Sequence, residues 1–178
     1  MFVGFIAVIV ILLVIVGLMS TGATNGSGGV DQTKATKALS EVSALAQSVG
    51  FYKTTTTDSD YTGLTVQSLI DSGIVATADV VQVDTTSVAT FDNDIDATDQ
   101  SATANVVISK AVPGLYYFIK ENATASTNFD IDTVAEVAKI PNASNLAAAI
   151  EKAMSKLSGS ATVNSGGDLK DGAVNITF

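Results

Sequence analysis

Val30 to Tyr52 reads VDQTKATKALSEVSALAQSVGFY, and its periodicity organises the rest of the chain. Ala35, Leu39, Val42, Ala46 and Val49 recur at spacings of three and four, which marks one face of a helix. Asp31 or Thr33 is placed to cap its start, and Gly50 to stop it. Lys34, Lys37, Glu41 and Gln47 fall mostly on the opposite side. The apolar stripe is narrow and rich in alanine, a shape that packs closely against a sheet or another helix.

On the N-terminal side lies Ser20 to Gly29, STGATNGSGG, with Gly22, Gly26, Gly28 and Gly29 in ten positions. Glycine costs a helix about 1 kcal/mol relative to alanine, so this stretch is expected to be a non-helical or easily melted hinge. Before it comes Met1 to Met19, MFVGFIAVIVILLVIVGLM, and no charge appears until Asp31. As a helix this run spans roughly 28 Å, close to the hydrocarbon thickness of a bilayer. Its bulky residues favour insertion by roughly 4–8 kcal/mol. Met1, Phe2, Phe5, Ile6, Ile9, Leu12, Leu13 and Val16 are the residues we expect to pack between copies if the run serves assembly. A signal peptide has a basic start and a shorter apolar core, and no Lys precedes position 34. A charged leader removed by processing is the expectation.

On the C-terminal side, Thr54–Tyr61 is a loop by composition. Leu64–Ser72 reads as a short helix with Leu64, Leu69 and Ile70 inward, ended by Gly73. Strand-rich sequence follows in IVATADVVQV, SVATF, ANVVISK and LYYFIK. Asn145–Leu157 is a second amphipathic helix, with Ser144 or Asn142 as its cap and Leu146, Ile150, Met154 and Leu157 on one face. The tail closes on a strand from Ala173 to Phe178. The fold class is therefore α+β. We expect a long N-terminal hydrophobic helix interrupted by a Gly-rich segment, then a globular head with a mainly antiparallel sheet and short helices. The divisions are 1–19, 20–29 and 30–178.

The 178 residues include nine Lys, no Arg and eighteen acids, a net charge of −9. Such a chain lacks the phosphate-neutralising surface that nucleic-acid binding requires, and no direct nucleic-acid partner is expected. There is no Cys, His or Trp. Disulfides, thiolate nucleophiles, catalytic triads and zinc sites built on Cys or His are thereby excluded. No carboxylate pair is spaced for acid–base work, and no enzyme and no cofactor are expected. Asp92, Asp94 and Asp96 alternate like the start of a calcium loop, but its sixth and twelfth positions hold Ala97 and Thr103 instead of Gly and Glu. They are a weak calcium candidate, against a solvated strand or turn. Asn25, Asn122, Asn142 and Asn175 fit the N-glycosylation pattern in a chain rich in Ser and Thr.

An apolar N-terminus without charge, running through Met1–Met19 into the amphipathic Val30–Tyr52 and an acidic α+β head, resembles type IV pilins. Met1 and the segment Tyr61-Thr-Gly-Leu64 through Leu69-Ile70 and Gly73-Ile74 resemble the type IVb branch. Phe5 stands where bacterial members of the family carry a glutamate, and the absent cysteines leave no family disulfide. The resemblance implies a structural subunit of an extracellular helical filament. Its partners would be copies of itself, the inner membrane before assembly, a leader peptidase and the pilus assembly machinery. Adhesion, motility, conjugation or DNA uptake would follow from the filament's setting. The alternative is a membrane-anchored extracytoplasmic binding or surface-layer domain that does not polymerise.

Overall fold

The computed structural model describes residues 27–56, 60–84, 103–136, 139–140, 143–154, 162–164 and 174–178. The long helix, α1, runs Ser27–Gly50. Its stripe is buried at Ala35, Ala38, Leu39, Val42 and Val49, with Ala46 and Leu45 partly buried beside them. The helix therefore begins three residues before Val30, inside the glycine-rich stretch, and Asp31 and Thr33 sit within it instead of capping it. Extending a helix that is already nucleated needs no new nucleus, which limits the cost of Gly28 and Gly29.

This corrects the expectation of a long N-terminal hydrophobic helix. Among the described residues no helix is long and apolar enough to cross a membrane. Among the described residues the long helix is α1, and it is amphipathic: Asp31, Lys34, Lys37 and Glu41 interrupt its apolar residues. Met1–Met19 lies outside the described residues.

After α1 come a short helix α2 (Tyr52–Thr56) and a second, α3 (Val66–Asp71). Thr65 caps α3 by accepting from Ser68 N at 3.1 Å, while Ser68 Oγ accepts from Thr65 N at 2.9 Å. Gly73, at φ +70°, takes the left-handed turn that ends it. Leu64, Val66 and Leu69 are buried and Ile70 partly so.

A 3₁₀ turn (Thr77–Asp79) leads into strands β1 (Val80–Asp84), β2 (Thr103–Ile108), β3 (Leu115–Glu121) and β4 (Phe129–Ala135). Helix α4 (Ala143–Met154) precedes β5 (Thr162–Asn164) and β6 (Val174–Thr177). All pairings are antiparallel, in the order β1-β2-β3-β4-β6-β5. The first four strands form a meander; α4 then carries the chain past β4, so that β6 returns between β4 and β5.

Because strand side chains alternate, the sheet has two distinct faces. Val107, Leu115, Tyr117, Ile119, Phe129, Ile131, Val174 and Ile176 join α1 and α4 in one apolar cluster. Leu146, Ala147, Ile150 and Ala153 are the inward residues of α4, which packs on α1. Val106, Tyr116, Phe118 and Val134 form a second, smaller cluster on the other face.

Candidate functional site

Among the described residues, the seam between α1 and the sheet gathers four hydrogen bonds on one carboxylate. Glu41 borders the apolar stripe, and its carboxylate reaches the β2–β3 turn. Oε1 accepts from the backbone N–H groups of Lys110 and Ala111, each at 2.9 Å. Oε2 accepts from Ser109 Oγ at 2.5 Å and from Tyr117 Oη at 2.6 Å. Two consecutive amides converging on one oxygen form a nest for an anion, and here the anion is a side chain of the helix. Ser109 Oγ also accepts from Val112 N at 2.9 Å, so the turn is tied to itself as well as to α1.

This arrangement is built to hold, not to react. Ser109 is buried, and its hydroxyl is committed to Glu41. Tyr117 is 1% exposed, and burial followed by the carboxylate of Glu41 pushes its phenol well above the ordinary tyrosine range. Neither group is available to a substrate.

A second anchoring region lies at the far end of α1. Lys53, on α2, donates to Thr127 O at 3.1 Å and sits 4.1 Å over the Tyr61 ring. Tyr61 N donates to Ser126 O at 2.7 Å. The Tyr61 ring meets Phe129 edge-on at 4.8 Å, and Phe129 stacks on Phe178 at 5.3 Å. Burial raises the Tyr61 phenol. Asp60 is held below its ordinary value, first by the backbone N–H of Thr62 and then by the Thr62 hydroxyl. Gly63 N donates to Glu121 Oε2 at 2.9 Å, so the 60–64 turn sits against the β3–β4 hairpin.

The sequence-derived sites meet the structure unevenly. Met1, Phe2, Phe5, Ile6, Ile9, Leu12, Leu13 and Val16 lie outside the described residues, as do Gly22, Gly26 and the calcium candidates Asp92, Asp94 and Asp96. Gly28 and Gly29 are in the first turn of α1. Among the described residues no group of three or more carboxylates could hold a metal ion. Asn122 is occupied by its own turn: its Oδ1 accepts from Thr124 N and Ala125 N, and its Nδ2 donates to Asp130 Oδ1 at 2.9 Å. Asn142 and Asn25 lie outside the described residues.

Sequence reading set Glu41 on the solvent side and gave Ser109 no role. The available signal was position: Glu41 is three residues from Ala38 and one from Val42, at the margin of the stripe. No family model, curated protein or solved structure matches the chain.

Proposed function

We propose that this chain is the structural subunit of an extracellular helical filament resembling a type IVb pilus. The observation that supports the reading is the anchoring of α1 to the sheet. Helix α1 is fixed to the head by its buried stripe and by Glu41, and in the sequence it follows 26 residues that contain no charge. A pull transmitted through α1 would therefore be borne by the sheet. The absence of His and Cys from the chain suits work that is assembly rather than chemistry.

The apolar segment Met1–Met19 would be satisfied by lipid before assembly and by copies of itself afterwards. Exchange between the two requires that burial among copies match the roughly 4–8 kcal/mol of lipid insertion. The filament is then an open, head-to-tail assembly.

Substitution Ile11→Asp tests this directly. Filaments sheared from the cell surface and seen by electron microscopy should disappear in the variant, while the head from Val30 onward keeps its fold. Filaments that persist in Ile11→Asp would refute the role of this segment. Recovery of the wild-type chain only from detergent-solubilised membranes would support the anchored, non-polymerising domain instead.

A further inference from the structure

The sheet face turned away from α1 is apolar at its centre and carries ionisable side chains at one end. Val106, Phe118 and Val134 belong to the apolar part. Beside them Lys120 Nζ lies 3.1 Å from Asp132 Oδ2, with the lysine side chain 20% exposed and that of the aspartate 9%. Asp130 is directly opposite Lys120 in the antiparallel register and shares this face with Asp132. It too is buried, and it accepts from Asn122 Nδ2 at 2.9 Å and Thr177 Oγ1 at 2.7 Å.

A buried ion pair of this kind contributes little net stability, because each charge has lost its water. The same two groups are also an amine and a carboxyl at contact distance, set on neighbouring strands. The geometry points to an intramolecular isopeptide bond between Lys120 and Asp132, a covalent staple joining β3 to β4.

The step balances without an added reagent. The near-complete burial of Asp132 disfavours its charge, and a proton passing to it from Lys120 leaves a neutral amine beside a neutral acid. The nitrogen lone pair adds to Cγ of Asp132. The tetrahedral carbon then expels one oxygen, which takes a proton from the nitrogen and departs as water. Ammonium and carboxylate have become amide and water, with no change of oxidation state. Fixed geometry of this kind is worth effective concentrations of about 10⁵–10⁸ M.

The bond would close the hairpin that holds Ser126 and Thr127, whose carbonyls anchor Tyr61 and Lys53. In a chain with no cysteine it supplies the covalent closure that a disulfide cannot. It does not depend on whether copies polymerise.

Tryptic digestion of the denatured full chain with tandem mass spectrometry reads the bond. An acylated Lys120 resists trypsin, so Ala111–Lys139 should appear as one peptide, lighter than its sequence by one water. Asp132→Asn keeps the shape and should cross-link with loss of ammonia in place of water. Lys120→Arg keeps the charge and should restore both cleavage at position 120 and full mass. Full mass with ordinary cleavage at Lys120 in the wild type would overturn the proposal. So would a one-water deficit that survives in Lys120→Arg, since that marks a cyclised aspartate. The wild-type measurement stands even if a variant fails to fold.

Discussion

Tyr116 and Tyr117 are neighbours in the chain, face opposite sides of the sheet, and each donates a 2.6 Å hydrogen bond to a glutamate. The bonds are equal in length and unequal in setting. Tyr117 reaches under α1 to Glu41, 76 residues away, whose carboxylate holds three further donors from the β2–β3 turn. Tyr116 reaches Glu136, 20 residues away, which also pairs with Lys139 at 2.8 Å in an i,i+3 contact. The side chains of that pair are 27% and 55% exposed, so solvent screens it. Burial and the number of stranded partners decide what a hydrogen bond is worth; distance does not.

The largest expected effect is that of Glu41→Ala, which leaves two hydroxyls and two amides of the turn without their acceptor. A loss of about 2–4 kcal/mol in unfolding free energy is expected, read from the urea midpoint. A loss no larger than that of Glu136→Ala would remove the distinction. Tyr117→Phe removes one donor and should cost about 1–2 kcal/mol, against less than about 1 kcal/mol for Tyr116→Phe.

The pH dependence separates the same two sites. The Tyr117 phenol is raised in the folded state, so its contribution is complete below the unfolded value of about 10 and is lost as pH rises beyond it. The urea midpoint should therefore fall progressively as pH rises above about 10, and Tyr117→Phe should flatten much of that fall. Absorbance titration should show Tyr117 ionising only as the protein unfolds.

Smallest is the surface pair. Glu136 is held below the usual carboxylate value, first by Lys139 and then by Tyr116, so its contribution is present at neutral pH and lost as pH falls through the folded value. Lys139 is pushed up to about 12, first by Glu136, so its contribution is lost only as pH rises through that value. Screening limits both. Glu136→Gln should lie within about 0.5 kcal/mol of wild type, and the difference should vanish in 1 M salt. A larger effect would show that the pair is less exposed to solvent in its dynamics than its geometry implies.

Much of the head was legible because its periods are regular. Leu39, Val42 and Val49 repeat at helical spacing and are all buried, as are Leu146 and Ile150 on α4. Strand β4, FDIDTVA, was not anticipated, because aspartate is depleted in strands. Its period-two alternation was nevertheless there to see: Phe129, Ile131 and Ala135 face the main core, and Asp130, Asp132 and Val134 the other side. The aspartates are tolerated because Lys120 and Asn122, from β3 and the turn after it, and Thr177, from β6, come to meet them. No local pattern announces partners that arrive from other strands.

What the sequence alone determined is the division of the chain into an uncharged apolar segment and an acidic α+β head, together with the inward faces of its helices. Hydrophobic periodicity and charge are local properties, and burial follows them. Only the tertiary structure decided that α1 takes in Ser27–Gly29, that Glu41 serves the β2–β3 turn, and that Lys120 and Asp132 meet at 3.1 Å. A carboxylate on the margin of a stripe is equally well placed for solvent or for a buried nest. Which one it finds depends on a turn 69 residues further along the chain, brought to it by the strand order.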